Sequence, residues 1–374
     1  MKGLLIFPII RNLGKADGIV IKNEGIKNGF IHNGADIDTI EYFADGMRLN
    51  GELFYDFSKN KYQRIFQYHY KARNAIRRFV KDRHYDFIWY RTPIMNRRIA
   101  DFIEGLHKEH PGVQIIIEYG YYPYVNELTR IGKVRYKMNR GHELRAHRNA
   151  AFVVTYAGQQ QVDNLTVLPI NNGVDLSDLP VAHPRSDVQQ MVKFVSVSSL
   201  KKWHAYERLV AGLPAYLAQP GHTPVHFNIV GFGPEYDKIV NMTRELGVES
   251  SVTFHHFKTG QELDDIYNDN HVAIGTLGFH RIGITFSSSL KNREYFGRGL
   301  PIVLSTPDED MPADLPYVLY VPEGEEPLDI APLVSFAQNL YRNTSVNDDI
   351  RQYAEETVTW NSKIKTVMEY LSRK

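Results

Sequence analysis

The chain has 374 residues, 43% of them hydrophobic and 12% aromatic, which is enough to bury two ordinary hydrophobic cores. The sequence contains no cysteine, which excludes disulfide bonds, thiolate metal sites and a cysteine nucleophile, and fits a cytoplasmic protein. The formal net charge of +1 is unevenly spread, because residues 1–178 carry 26 Lys and Arg against 19 Asp and Glu, and the rest of the chain is acidic.

The first half of the sequence alternates strands and helices. Residues 2–10 predict a buried strand, because this apolar run is too short to cross a membrane and has no signal-peptide cleavage site. The other predicted elements of this half are a polar loop at 11–18, a helix to residue 29, strands near 36–42 and at 87–90, 113–118, 151–155 and 166–170, and helices at 61–84 and 96–107. This alternation predicts a parallel sheet covered on both faces.

The second half repeats the pattern after a linker. Residues 171–187 are rich in turn formers and lack periodicity, so they are the best candidate for that linker. The strands predicted beyond it are 193–197, 225–230, 251–254, 272–275, 301–304 and 318–321, and the last pattern is a helix at 360–371. We therefore predict an α/β protein with two domains, at 1–178 and 188–358.

Two segments, 59–98 and 130–148, carry the basic excess of the first half. The second of these lacks the regular apolar positions of a core helix. It is therefore either a solvated helix face or a surface that faces anionic lipid or a phosphate-bearing acceptor. Nucleic acid is a less favoured partner, because no recognition motif accompanies the charge.

Residues 287–303 contain a polar turn, an amphipathic helix with Glu294, and an apolar strand. The free backbone N–H groups at a helix start suit phosphate, and a carboxylate one turn further along suits ribose hydroxyls. A second polar segment follows the first strand of the second half, and it contains Ser199, Lys201, Lys202 and His204. Because open α/β sheets bind ligands at the carboxyl ends of their strands, these cations suit a diphosphate, although a solvated loop is the alternative.

Other motifs are weak. Two glycines, 231 and 233, follow a strand, but a pair without a third glycine more often marks a tight turn than a nucleotide site. The D-x-D triplets at 36–38 and 308–310 lie on a strand and in an acidic loop, and no histidine spacing suits a metal. We therefore expect no metal site.

Taken in order along the chain, these motifs resemble the family four retaining glycosyltransferases, which have the GT-B fold. The segments that carry the resemblance are the loop ending at Gly18, then 172–175 (NGVD), 197–200 (VSSL), 231–235 (GFGPE), 252–254 (VTF), 263–267, Glu294 with 299–303 (GLPIV), and 359–360 (TW). They span nearly the whole chain. The resemblance implies two Rossmann-like domains whose sheets face across a cleft. It also implies an acceptor on the first domain, a donor nucleotide-sugar on the second, and a terminal helix, 359–374, that returns to the first.

The resemblance also implies roles for individual residues. Glu294 corresponds to the carboxylate that binds the donor ribose, and Gly18 to the loop glycine near the diphosphate. The resemblance implies further donor-site residues, and some of them are cations expected to replace the family's diphosphate clamp. These residues are Ser288, Ser289, Leu290, Lys291, Arg281, Gly233, Ser199, Lys201, Lys202 and His204.

Two departures from the family accompany these matches. Phe286 stands where the family often has a Glu that contacts the transferred sugar, and Ser199 and His204 replace the Arg and Lys of the diphosphate clamp. These changes resemble a bacterial subgroup that acts in surface-polysaccharide assembly. Weakened catalysis is the alternative interpretation of these changes.

The acceptor side is predicted at the end of the strand at 113–118. Glu118 suits a hydrogen bond from an acceptor hydroxyl, which makes it a candidate base. Tyr119, Tyr122 and Tyr124 offer aromatic faces to a sugar. The alternative is a tyrosine-rich packed loop with a capping acid.

The sequence thus predicts a metal-independent retaining hexosyltransferase that needs no cofactor, uses a UDP-sugar in preference to a GDP-sugar, and acts on a glycan or lipid-linked acceptor. We expect it in the cytoplasm, with peripheral contact to the inner face of the membrane. Two alternatives remain open: a nucleotide-sugar epimerase of the same fold, and a non-catalytic glycan-binding relative, which Phe286 motivates.

Overall fold

The computed structural model describes residues 1–11, 18–92, 94–120, 130–156, 161–162, 165–184 and 186–373. The chain forms two compact units. The first contains Met1–Gly173 and Trp360–Lys374, and the second contains Val174–Thr359.

The first unit is built on a sheet that has nine strands within the described residues, in the order β4-β3-β2-β1-β5-β6-β7-β9-β8. Six of them, from β2 to β9 in this order, are parallel, whereas the hairpin of β3 and β4 and the short β8 are antiparallel. The strands are β1 (Lys2–Arg11), β2 (Asp36–Phe43), β3 (Gly46–Leu49), β4 (Glu52–Asp56), β5 (Phe87–Thr92), β6 (Gln114–Tyr119), β7 (Phe152–Thr155), β8 (Gln161–Val162) and β9 (Leu165–Pro169).

Helices cover both faces of this sheet. They are α1 (Gly18–His32), α2 (Lys61–Phe66), α3 (Ala72–Lys81), α4 (Arg97–Glu109), α5 (Arg130–Arg148) and the terminal α12 (Trp360–Ser372). Helices α3 to α5 pack on one face around Leu4 and Ile6, while α1 and α12 pack on the other around Leu5 and Phe7. The alternation of a strand's side chains explains this division.

The predicted long helix at 61–84 is interrupted. Between α2 and α3 the residues Gln67–Lys71 form a π-helical segment, and α3 ends at Lys81. The hairpin of β3 and β4 was not predicted, although Asn50 and Gly51 carry the positive φ angles, 50° and 89°, of a tight hairpin turn. Its strands are only four and five residues long, and charged residues interrupt or flank their apolar side chains, so they lack the long apolar run of the buried strands.

The terminal helix belongs to the first unit, as predicted. Trp360 packs against Gly25, where an added Cβ would lie 2.0 Å from its ring, so a larger residue would displace the helix. Asn33 Nδ2 donates to the carbonyl oxygen of Asn361 at 3.0 Å and to its Oδ1 at 2.8 Å.

The second unit contains a sheet that, in the described residues, has six parallel strands in the order β12-β11-β10-β13-β14-β15. The strands are β10 (Val192–Val197), β11 (Val225–Val230), β12 (Val252–His255), β13 (Val272–Ile274), β14 (Ile302–Leu304) and β15 (Val318–Tyr320). The helices are α6 (Glu207–Leu217), α7 (Tyr236–Glu245), α8 (Gln261–Asn268), α9 (Leu290–Gly297), α10 (Ala331–Leu340) and α11 (Val346–Thr357). This strand order reverses between β10 and β13, which opens a crevice at their carboxyl ends.

The boundary between the units lies at Gly173, five residues before the predicted position. Residues 174–182 pack on the second unit because Arg351 holds them there. Its guanidinium donates to the carbonyl oxygens of Leu179 at 2.8 Å, Leu176 at 3.1 Å and Gly297 at 2.6 Å. Among the residues described, no helix is both long enough and apolar enough to span a bilayer.

Candidate functional site

Helix α9 lies beside the crevice between β10 and β13, and buried contacts fix its position. The fully buried Arg293 pairs with Asp308 and with Asp310. On the same helix, the hydroxyl of Tyr295 accepts the N–H of Val197 at 2.8 Å, which ties the helix to the end of β10. The start of α9 is therefore held at the carboxyl edge of the sheet.

The start of α9 presents the polar groups that the sequence predicted. Ser289 is the N-cap, and its side chain makes no capping hydrogen bond. Its carbonyl accepts the N–H of Asn292 at 3.1 Å. The first-turn amides of Leu290 and Lys291 precede the first intrahelical bonds, so they suit an anion.

Beneath this turn lies a group of buried polar atoms. Asn292 is fully buried, and within the described chain neither its Oδ1 nor its Nδ2 has a hydrogen-bond partner. The same holds there for the buried hydroxyls of Thr276, which follows β13, and of Ser287. Buried polar groups are normally hydrogen-bonded, so these unpaired donors and acceptors favour bound water or ligand.

Lys291 forms a cluster with two aromatic residues of the second unit. Its Nζ donates to the hydroxyl of the buried Tyr206 at 2.9 Å. Burial lowers the pKa of Lys291 to about 7. Burial, together with the charges of Lys291 and Lys201, lowers the pKa of His204 to about 2, so this ring is neutral at physiological pH.

The neutral ring of His204 has a defined orientation. Its Nδ1 accepts the backbone N–H of Lys201 at 3.1 Å, and the ring stacks on Tyr206 with the centroids 5.5 Å apart. Because Nδ1 is an acceptor, the proton of the neutral ring lies on Nε2. His204 can thus offer one N–H donor but no charge.

Glu294 lies one turn along α9, and two thirds of its side chain is buried, with 33% exposed. Its Oε1 accepts from the hydroxyl of Tyr267 at 3.3 Å and from Nε of Arg298 at 3.2 Å. Arg298 is fixed in turn by Asp264, at 2.7 Å. Both contacts are made through one carboxylate oxygen, which leaves the other without a hydrogen bond from the described residues.

The remaining donor-side predictions fall into two groups. Ser199, Lys201 and Lys202 are exposed in the loop after β10. Arg281, in contrast, is bound by two carboxylates, because its guanidinium pairs with Glu325 and with Glu207 at 2.7 Å. Binding phosphate through Arg281 would require these ion pairs to break.

Glycine is required at 231 and 233 for packing. Gly231 has φ +120°, and an added Cβ there would lie 2.0 Å from the carbonyl oxygen of Ser198. A Cβ at Gly233 would lie 2.4 Å from the carbonyl oxygen of Leu200. The two loops after β10 and β11 therefore pack backbone to backbone, and this contact explains Gly233 without a ligand.

The acids of the two D-x-D triplets have structural partners. Asp308 and Asp310 neutralise Arg293, as described above. Asp38 accepts a hydrogen bond from the hydroxyl of Tyr85 at 2.6 Å, and Asp36 pairs with Lys2 at 3.2 Å. Across the residues that the structure describes, no three His, Asp or Glu side chains form a group able to hold a metal ion.

In the first unit, Glu118 is fully buried at the end of β6, in contrast to the predicted role as an acceptor-side base. Its Oε2 accepts from Nε1 of Trp89 at 2.7 Å, and its Oε1 accepts from the hydroxyl of Tyr156 at 2.8 Å. Arg91 and Lys22 lie 3.6 and 3.8 Å from Oε1. Since protein groups occupy both oxygens, these contacts favour a structural role.

The predicted aromatic acceptor residues differ in position. Tyr119 is fully buried and hydrogen-bonded to Nε2 of His147 at 2.8 Å, so its ring is part of the core. Tyr122 and Tyr124 lie outside the described residues. Gly18 is the first residue of α1.

Sequence reasoning missed Tyr206 and Asn292 of the second unit and Lys22, Arg91 and Tyr156 of the first. The buried Lys22 places its Nζ 2.9 Å from the centre of the Tyr156 ring, and burial holds its pKa well below the usual lysine range. These residues come from separate strands and helices. No local motif in the sequence marks them.

Solved structures with a similar fold include proteins named as glycosyltransferases. The chain is similar to HepE of Anabaena in complex with UDP, with 14% identity, full coverage of both chains and a TM-score of 0.68. It is also similar to the sucrose-phosphate synthase of Thermosynechococcus elongatus (15% identity, 100% and 98% covered, TM-score 0.62) and to the lipopolysaccharide outer core galactosyltransferase WaaB (14%, 99% and 100%, 0.62). No protein-family model and no curated protein sequence matches the chain. The fold is therefore GT-B, as predicted.

Lys291 yields a prediction about pH. Its pKa of about 7 in the folded protein means that the side chain is largely deprotonated above pH 8. A bound diphosphate favours the charged form, so binding takes up a proton and the affinity falls as the pH rises from 7 to 9. Calorimetry of UDP binding in buffers of different ionisation enthalpy measures this uptake.

Lys291→Met is expected to remove the uptake, whereas the exposed Lys202→Met is the control and is expected to keep it. If UDP binding at pH 8 took up no proton from the buffer, this would show that Lys291 does not contact the anion.

Proposed function

We propose that this protein is a retaining glycosyltransferase that transfers a hexose-type sugar from a nucleotide diphosphate sugar, UDP in preference to GDP, to a glycan or lipid-linked acceptor. The observation that carries the proposal is the set of groups at α9: free first-turn amides, Lys291 and Glu294 at the carboxyl edge of a doubly wound sheet. Two of the similar structures, both of HepE, contain UDP and UDP-glucose respectively. A role in cell-surface polysaccharide synthesis rests on the sequence resemblance alone.

In this proposal each group of the α9 site binds a different part of the donor. The amides of Leu290 and Lys291 bind the diphosphate, since the positive end of a helix attracts anions. Lys291 supplies the positive charge, and Nε2 of His204 donates a hydrogen bond. Glu294, one turn further along, accepts from the ribose hydroxyls.

The chemistry follows from the charge that develops on the leaving diphosphate. Breaking the bond between the sugar and the diphosphate leaves negative charge on the phosphate oxygen, which Lys291 and the helix amides stabilise. The same oxygen can accept the proton of the incoming acceptor hydroxyl, which then attacks from the same face. This route gives retention without a protein nucleophile, and it needs no cofactor.

A non-catalytic relative is the second candidate, and two observations favour it. Phe286, 41% exposed, occupies the position where a sugar-contacting Glu is common in the resembling family, and Glu118 is buried among its own partners.

A panel of nucleotide-sugars tests the function. We expect slow release of free sugar, or transfer, from one UDP-sugar, and unchanged turnover in EDTA because cationic side chains stabilise the leaving group. Chromatography of the products is the measurement. An isomerised nucleotide-sugar would indicate an epimerase, binding without turnover would favour the non-catalytic relative, and rescue of an EDTA-inactivated enzyme by magnesium would refute metal independence.

Replacement of the proposed ribose ligand gives a second test. Glu294→Ala is expected to weaken UDP binding by about 1.5–3 kcal/mol, because charged hydrogen bonds to the ribose are lost. Arg298 keeps Asp264 as a partner, so the fold should tolerate the change.

Calorimetry with UDP measures the loss for Glu294→Ala. Glu262→Ala, an exposed acid on α8, is the control and is expected to bind like the parent protein. A folded Glu294→Ala variant with parental affinity would refute the ribose assignment.

We propose further that α5 attaches the protein to anionic lipid at the cytoplasmic face of a membrane. The inner side of the helix packs on the sheet through Glu143, Ala146 and His147, which are buried. Its outer side exposes Val134 (59%) and Met138 (75%), one turn apart. Lys133, Arg135 and Lys137 lie around them and are also exposed, an arrangement that suits the surface of an anionic bilayer.

Charge reversal tests this attachment. The variant with Lys133, Arg135 and Lys137 changed to Glu is expected to lose co-sedimentation with anionic vesicles, since each cation contributes about 1 kcal/mol near such a surface. High salt should release the parent protein, because exposed charges interact over only about 8–10 Å at physiological ionic strength.

The control reverses Lys27 and Lys365, on the helices α1 and α12 that cover the opposite face of the sheet, and should sediment like the parent. Equal sedimentation of the parent with neutral and anionic vesicles would show that the exposed side of α5 is an ordinary solvated helix face.

A further inference from the structure

The first unit has an apolar pocket of about 390 Å³ at the carboxyl edge of its sheet. Three of its lining residues lie at strand ends: Ile10 is the penultimate residue of β1, Ala44 comes directly after β2, and Phe57 comes directly after β4. The backbone N–H of Phe57 donates to the carbonyl of Asp45 at 2.7 Å, which holds these strand ends together. The volume lies within the range of small-molecule sites.

The other wall of the pocket is the interrupted helix. Arg64, Ile65, Tyr68 and His69 line it, and the last two belong to the π-helical segment. Tyr68 is anchored because its hydroxyl donates to the carbonyl of Pro8 at 2.7 Å. π-helical turns are uncommon and often occur at functional sites, so the interruption of this helix at the pocket wall is informative.

An exposed aromatic surface continues from the pocket. Tyr62 and Phe66 on α2 and Tyr70 beside it are 81%, 50% and 46% exposed, and Ile65 is 47% exposed. The rings of Phe66 and Tyr70 stack with centroids 4.9 Å apart. Exposed apolar groups in a contiguous surface usually mark a binding site.

Cations surround this surface. The guanidinium of Arg98 lies 4.0 Å from the centre of the Tyr70 ring, and Nζ of Lys71 lies 5.9 Å from that of Phe66. The pocket itself is lined, in the described part of the chain, by Arg64 and His69 but by no carboxylate. An apolar cavity with a cationic rim fits a ligand that has a hydrocarbon chain and a phosphate.

We propose that this pocket binds the hydrocarbon chain of a lipid-linked acceptor, whose phosphate lies against Arg64 and the neighbouring cations. The proposal rests on the proposed function and selects the lipid-linked acceptor from the two classes left open there. A free sugar would need hydrogen-bonding groups in place of Ile10, Ala44, Phe57 and Ile65. Each methylene buried in such a pocket strengthens binding about fourfold.

The position of the pocket agrees with membrane attachment through α5. Tyr68 of the pocket wall packs against the same core as α3, α4 and α5, on one face of the sheet. Between the pocket wall and α5 lies α4, whose Arg98 contacts Tyr70 and whose Glu104 pairs with Arg145 of α5 at 3.4 Å. A lipid chain that leaves a bilayer contacted by α5 can therefore reach the pocket along the helices on this face of the sheet.

The test measures binding of farnesyl phosphate below its micellar concentration, with farnesol and inorganic phosphate as partial ligands. We expect the parent protein to bind farnesyl phosphate at least tenfold more tightly than either partial ligand. Ile65→Asp and Arg64→Gln should each weaken this binding at least tenfold.

Matched controls exclude non-specific adsorption. Ile31→Asp changes a residue of nearly equal exposure, 46%, on α1, and Arg78→Gln removes an exposed arginine of α3. Both are expected to bind like the parent. Equal loss in the controls, no binding of farnesyl phosphate, or binding of inorganic phosphate with equal affinity would overturn the proposal.

UDP binding by the same variants separates the two proposals. It should be unchanged in Ile65→Asp and Arg64→Gln, because the α9 site belongs to the second unit and these residues belong to the first. If UDP binds and farnesyl phosphate does not, only the lipid-linked acceptor is refuted. If farnesyl phosphate binds through Ile65 and no nucleotide does, the lipid site remains and the transferase proposal is refuted.

Discussion

The buried ion pairs of Arg293 with Asp308 and Asp310 hold the helix on which the candidate donor site depends. A fully buried arginine is strongly destabilising without partners, so α9 and the loop at 308–310 can only fold together. Tyr295 adds a hydrogen bond to the end of β10. The helix start, with its amides, is thereby fixed beside the crevice that the strand order opens.

The predicted site residues Glu118 and Lys291 differ in how their buried charges are satisfied. In the first unit, Glu118 is surrounded by Trp89, Tyr156, Arg91 and Lys22, so that its charge and its hydrogen-bonding capacity are already satisfied. In the second unit, the one hydrogen bond that Lys291 Nζ makes within the described residues is to the hydroxyl of Tyr206, and burial lowers its pKa to about 7. A cation that lacks a counter-charge gains most from an anionic ligand. The donor site is therefore best supported in the second unit.

This difference fits the distribution of polar atoms near each sheet edge. Beneath α9, the side chain of Asn292 and the hydroxyls of Thr276 and Ser287 are buried without partners in the part of the chain that the structure describes. At the edge of the first sheet, the pocket beside α2 is mainly apolar and its rim is cationic. The first arrangement suits a polar nucleotide, and the second suits an amphipathic molecule. The two units therefore suit different ligands.

The sequence by itself determined the α/β class, the GT-B resemblance, the terminal helix and the placement of Glu294 and the α9 start, because these depend on local periodicity and on motifs within a few residues. It also contained the Asn50-Gly51 turn signal of the unpredicted hairpin. Only the tertiary structure decided that Glu118 and Tyr119 are buried, that Arg281 is bound by Glu207 and Glu325, and that the boundary lies at Gly173. Burial and ion pairing join residues from distant elements, so no local pattern encodes them. The pocket beside α2 arises in the same way, since strand ends far apart in sequence meet the interrupted helix only in the folded sheet.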